Sequence, residues 1–187
     1  MSAAPIPPAR CNTQQRRAAI ELARALGVPK NYGPSRGLRV VREPSYLYCV
    51  GQDIQGRVQW LAAPAARAWR EMHAAAANDG VDLQLVSAFR SATYQLEIFR
   101  RKCDRGQPIE EILKVSAAPG YSEHHSGRVV DLTTPGYAAL EEEFENSAAF
   151  AWLSRNARTH GFHLSYPRDN PHGIAYEPWH WCWKRRS

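Results

Sequence analysis

Two short segments, far apart in the chain, have to meet in space. Ser122-Glu123-His124-His125-Ser126-Gly127, with Asp131 just beyond, and Tyr176-Glu177-Pro178-Trp179-His180-Trp181 near the carboxyl end together offer imidazoles, a carboxylate ligand and a spare carboxylate. Those are the components of a catalytic zinc site that leaves one coordination position to water. A fold that uses them must carry both segments on neighbouring elements, and the chemistry they point to is hydrolysis.

With 187 residues and 44% apolar content, the chain is long enough for one hydrophobic core and too apolar for disorder. The formal charge is +6 and the isoelectric point near 9.4, a balance that favours acidic partners. The basic residues are dispersed, however, and the densest groups are Arg16-Arg17, Arg100-Arg101-Lys102 and Lys184-Arg185-Arg186. No basic stripe interleaved with aromatics accompanies them, so the expectation is a moderately basic surface with no nucleic-acid partner. Cys11, Cys49, Cys103 and Cys182 are scattered and form no C-x-x-C pair, which removes zinc-ribbon and thioredoxin-like readings and leaves disulfides open. The start of the chain, Met1 to Pro8, is Pro-rich and lacks an apolar h-region, and no later segment suits a membrane span. The expectation is a cytoplasmic chain, with action in the periplasm or wall requiring an export signal not present in it.

Caps and periodicity set out the elements. Asn12 or Thr13 starts a helix that runs to Leu26 and stops at Gly27. Strands are expected at 38–42, 46–51 and 57–61, with a turn over 52–56. A helix from Pro64 to Asn78 follows, then a strand over 81–89 in which Val81, Leu83 and Leu85 face the core and Val86 does not. Ser91 caps a helix to about Asp104, and a shorter one covers 109–114. Beyond the first metal-binding segment come a strand over 128–132, a short helix over 137–145, a helix over 147–160 closed by Gly161, and strands over 162–166 and 179–183. Helices mixed with antiparallel hairpins in this order predict an α+β fold. The expected division is an N-terminal extension with one helix over 1–37 and a catalytic domain over 38–187.

Two neutral imidazoles and one carboxylate keep a metal electrophilic in a way that thiolates do not. His124, Asp131 and His180 can supply that set, although spacing alone does not separate His124 from His125. Glu177 adds the group that takes a proton from bound water and returns it to the leaving amine. In a regular strand Glu177 and His180, three apart, would face opposite sides. Pro178 implies a turn or an edge between them, so both side chains can converge on one metal. Trp179, Trp181 and Trp183 alternate as core residues on one face should, with the alternative that Trp179, between base and ligand, walls the site instead. Arg90 at a helix start sits against the dipole, which favours a functional reason for it. The run Glu141-Glu142-Glu143 with Glu145 reads as a solvated helix face.

These residues resemble a known family. Ser87-Ala88-Phe89-Arg90-Ser91 with Gln95, the stretch from Pro119 through Ser122-Glu123-His124-His125-Ser126-Gly127 to Asp131-Leu132, Gly161-Phe162 with Ser165-Tyr166-Pro167, and Glu177-Pro178-Trp179-His180 are similar to the VanY-like D-alanyl-D-alanine carboxypeptidases, which are zinc peptidases. The resemblance covers the chain from about Trp60 onward. It implies a small antiparallel sheet with helices around it, as in the D,D-peptidase and hedgehog fold. It also implies one Zn2+ per chain held by His124, Asp131 and His180, the register that selects His124 over His125. Glu177 would be the general base and Arg90 would stabilise the oxyanion or hold a substrate carboxylate. Gln95, Ser122, Tyr166 and Trp179 would contact a substrate that is a peptidoglycan stem peptide or muropeptide. Phe89 and the short loop over 168–173 depart from the family pattern and bear on the substrate pocket.

The implied reaction is removal of the terminal D-alanine of a stem peptide. L,D-carboxypeptidase, D,D-dipeptidase and phage-type endopeptidase activities share the same metal site. A non-catalytic, zinc-containing wall-binding module is the alternative outside enzymes, and a free base with a carboxylate clamp argues against it.

Overall fold

The computed structural model describes residues 5–185. Met1 to Ala4, part of the Pro-rich start, and Arg186 of the terminal basic group lie outside them. The predicted α+β class is what forms, in two antiparallel sheets with helices packed around them.

Local chemistry accounts for the helices. α1 (Thr13–Ala25) begins in a capping box, in which the Asn12 side chain accepts from the Gln15 N–H and the Gln15 side chain accepts from the Asn12 N–H. A one-turn α2 (Tyr32–Ser35) follows within the Pro- and Gly-rich stretch. α3 (Ala63–Asn78) has Pro in its first turn, where the missing N–H costs nothing. Ser91 accepts from the Tyr94 N–H to start α4 (Ala92–Asp104), α5 (Ile109–Val115) follows, and Ser147 caps α6 (Ala148–Asn156) in the same way. A 3-10 turn, Ala157–His160, extends α6 to Gly161.

β1 (Tyr48–Gln52) and β2 (Val58–Leu61) form the hairpin anticipated around the 52–56 turn. Asp53 organises that turn, accepting from the Gln55 and Arg57 N–H groups and from the Arg57 and Gln59 side chains. The second sheet takes the order β3-β4-β6-β5, with β3 Gln84–Ser87, β4 Val129–Thr133, β5 Phe162–Leu164 and β6 His180–Trp183. Its two faces have different fates. Val130 and Leu132 of β4 and Trp181 of β6 point into the main core with Trp69 and Met72 of α3 and Trp152 and Leu153 of α6. Strand alternation then sends Asp131 and His180 to the opposite face. They are partners across the β4–β6 ladder, so register alone puts them side by side. A second cluster joins α1, through Ala19, Ile20 and Ala23, to Leu96 and Phe99 of α4 and to Tyr121.

Several expectations give way to tertiary context. The 38–42 segment joins no sheet, its Val41 N–H bonding the Gly120 carbonyl. The expected helix over 137–145 is replaced by turns and a 3-10 helix, Glu142–Asn146, because Leu140 takes φ +63° and Thr133 Oγ1 donates to the Tyr137 carbonyl a helix would need. The 3-10 turn instead buries Phe144 in the core. The 81–89 strand shrinks to β3, and Val86 is buried, because the register shifts between Leu85 and Ser87 and breaks the alternation. All four cysteines are free, and among the described residues no helix is long and apolar enough to cross a membrane.

Candidate metal centre

The site lies on the floor of a cleft of about 1260 Å³ between the β1–β2 hairpin, α4 and the chain before β6. Three elements deliver its centre. β4 brings Asp131, β6 brings His180, and a 3-10 helix, Glu123–Ser126, brings His124. That short helix ends at Gly127, whose φ of +63° strains any other residue and whose fit against the Ala62 backbone would crowd a Cβ. One ligand atom from each of His124, Asp131 and His180 falls within 4.8 Å of the others, and all three residues are buried.

The proton positions can be reasoned out. The His124 Nδ1 lies 2.5 Å from the Ala88 carbonyl, which can only accept, so Nδ1 carries the hydrogen. Burial, helped by Arg90, pushes the His124 pKa down to about 4, so the ring is neutral and Nε2 is a bare lone pair. That lone pair is buried, has no hydrogen-bond donor, and faces Asp131 Oδ2 at 3.1 Å. Two electron-rich atoms at that distance repel unless a cation joins them. Ligands on a tetrahedral zinc at ~2.1 Å stand about 3.4 Å apart, so the spacing suits such an ion. The donor set therefore fits zinc.

His180 shows the same demand for positive charge. Its Nδ1 lies 3.1 Å from Asp131 Oδ1 and 3.3 Å from Glu177 Oε2, while Nε2 lies 3.1 Å from Glu123 Oε2. Burial opposes charging the ring, yet the hydrogen bonds to Asp131 and Glu123 win and raise its pKa to about 10. The Nδ1 proton thus occupies the position a metal would take.

Glu177 is buried and close to the cluster. The chain turns at Pro178-Trp179, with the His180 N–H donating to the Glu177 carbonyl at 3.1 Å, so Glu177 and His180 do converge as Pro178 implied. Burial raises the Glu177 pKa to about 7, His180 opposes, and Asp131 adds to the rise. Arg90 places one guanidinium nitrogen 3.5 Å from Asp131 Oδ2 and keeps a buried Nε without a partner.

The remaining expected residues all reach the cleft wall. Gln95 is buried, donates from Nε2 to Ser116 Oγ and the Ala117 carbonyl, and leaves Oε1 without a partner. Ser122 is buried beside His124. Tyr166 is buried too, its ring 4.7 Å from that of His180 and its hydroxyl pKa raised by burial. Trp179, for which core packing and a place in the site wall were alternatives, packs on the core and also lines the cleft. His125 is not drawn into the cluster, because its Nδ1 donates to the Arg90 carbonyl at 2.7 Å and its Nε2 accepts from the Gly120 N–H.

Glu123 is the participant that sequence reasoning missed. It binds the far nitrogen of His180, as carboxylates commonly do behind metal-bound imidazoles, and its place next to His124 was the available signal.

Two sheet strands and a short 3-10 helix together deliver a His/Asp/His cluster to the floor of a cleft, an arrangement that suits a metallopeptidase. The family described as VanY, D-alanyl-D-alanine carboxypeptidase, matches residues 58–186, and the chain belongs to it. It is 32% identical over 158 residues to YodJ of Bacillus subtilis (strain 168), covering 82% of this chain and 55% of that protein. The chain thus spans about half the length of that curated relative. The structure of the LD-carboxypeptidase LdcB superposes with a TM-score of 0.68 at 30% identity, over 78% of this chain and 71% of that one. A zinc complex of a mutant of the D,D-pentapeptidase VanY superposes with a TM-score of 0.60 at 26% identity, over 78% of this chain and 84% of that one.

Proposed function

We propose that this protein is a zinc-dependent D,D-carboxypeptidase that hydrolyses the terminal D-alanyl-D-alanine bond of peptidoglycan stem peptides. The observation that carries the reading is the buried, bare Nε2 of His124 facing Asp131, with Glu177 at the edge of the same cluster. His124, Asp131 and His180 would hold the ion. When bound, zinc supplies a Lewis acid that lowers the pKa of water to about 7. Glu177 takes the proton from the attacking water and passes it to the leaving amine, which its position beside His180 supports. Arg90, whose guanidinium lies beside Asp131, stabilises the developing oxyanion. Gln95 offers Oε1 to a substrate N–H, while Ser122, Tyr166 and Trp179 shape the subsite around it. We take residues 38–187 as the catalytic domain and 1–37 as an N-terminal extension, a division supported by the packing of its one long helix, α1, on α4.

The likeness to LdcB favours a second reading, an L,D-carboxypeptidase that trims a tetrapeptide. Incubation of zinc-loaded protein with defined pentapeptide, tetrapeptide and D-alanyl-D-alanine, with a chelator control, separates them by product mass. Chelator-sensitive release of D-alanine from the pentapeptide alone is expected. Release from the tetrapeptide alone favours the second reading, and no chelator-sensitive cleavage rejects both.

A further inference from the structure

Among the described residues, three Lys and Arg side chains line the cleft: Arg57, Arg90 and Lys102. Arg57 is committed to Asp53 at 2.7 Å, and Arg90 faces Asp131 at 3.5 Å. The Lys102 ammonium has neither a hydrogen bond nor an ion pair among the described residues, although the side chain is half-buried. It stands on α4 two turns beyond Gln95, and Gln95, Ile98 and Lys102 share the helix face that forms the cleft wall. Burial lowers the Lys102 pKa, Arg90 adds to the effect through like charge, and Glu177 opposes it. A half-buried cation that shares a cleft with a second cation is unfavourable until an anion arrives.

We propose that Lys102 recognises a carboxylate of the peptide substrate and so determines which peptides the cleft accepts. This rests on the peptidase reading above and extends it to the substrate class. The ligand is a peptide with a carboxylate near the scissile bond, either its own C-terminus or one on a side chain upstream. Lysine acts there as a point charge, and the Arg90 fork is left for the scissile carbonyl.

Two peptide pairs test this. One pair differs in a free or amidated C-terminus, and the other in a carboxylate-bearing side chain or lysine two residues before the scissile bond. Wild-type zinc-loaded protein, Lys102→Met and the charge-preserving Lys102→Arg are compared by kcat and KM, and by calorimetric Kd for the same peptides. In one pair, Lys102→Met should lose roughly 10- to 100-fold on the recognised carboxylate and stay within about twofold on its counterpart. Lys102→Arg should recover most of the loss. The pair whose ratio collapses identifies the carboxylate. Unchanged ratios in both pairs, in kcat/KM or in Kd, overturn the proposal. A wild-type protein that binds the peptides without cutting them rejects the proposed activity instead, and its Kd ratios still decide the role of Lys102.

Discussion

Asp131 and His180 are directly opposed partners on adjacent antiparallel strands, so the register of one ladder sets two of the three candidate metal ligands side by side. Both lie on the sheet face away from the core, where a ligand can reach them. A ligand bound only by the folded state stabilises it by mass action, by about 2.7 kcal/mol at a hundredfold excess over Kd. Zinc at that excess should therefore raise the thermal midpoint of the wild-type protein, and a chelator should reverse the rise. Asp131→Asn should remove the zinc-dependent rise while the variant remains folded.

The neighbouring histidines should separate cleanly. His124→Ala is expected to abolish zinc-dependent stabilisation. His125→Ala should keep one zinc per folded chain but lose stability, because the Gly120 N–H and the Arg90 carbonyl lose their buried partner. The expected cost is about 1–3 kcal/mol for each group left unpaired, read by denaturant unfolding.

How much of this was legible in the sequence follows from which interactions are local. The Asn12 box, the Ser91 cap and the stop at Gly161 are short-range, and they place α1, α4 and the end of the 147–160 helical stretch within a few residues. The bulge after Leu85 is not local: it depends on β3 pairing with β4, and it buries Val86 against expectation. Leu140 at positive φ likewise answers to the burial of Phe144 rather than to any propensity of the acidic run. In the site, residue types and Pro178 were enough to anticipate the meeting of Glu177 and His180. Glu123 and Lys102 were not anticipated, since only folding reveals that one sits behind His180 and the other faces the cleft unpaired.

A relay of hydrogen bonds links the hairpin turn to the cluster. Asp53 accepts from Gln59 Nε2, Gln59 Oε1 accepts from the Ala88 N–H, and the Ala88 carbonyl accepts from His124. Burial pushes the Asp53 pKa up, but the donors from Arg57 and Gln55 outweigh it and hold the carboxyl below its ordinary value. A depressed pKa gives stability that is present above the unfolded value of about 3.9 and lost as pH falls through the folded value. Asp53→Asn should thus cost about 1–3 kcal/mol at neutral pH, a cost that shrinks as pH falls below the unfolded value of about 3.9, read from unfolding curves across pH.

Gly127 closes the turn that carries His124, and a Cβ there would lie 3.0 Å from the Ala62 backbone nitrogen. Gly127→Ala should destabilise the fold by about 1–3 kcal/mol, seen as a lower thermal midpoint.

The proposed mechanism turns on Glu177, a buried carboxylate 3.3 Å from His180 with a proton to move. The direct measurement is D-alanine release from a stem pentapeptide by zinc-loaded wild type and Glu177→Gln, with zinc per chain determined on the same samples. The variant should hold one zinc and lose at least about 100-fold in kcat. A zinc-replete Glu177→Gln protein that cleaves at the wild-type rate would contradict the account.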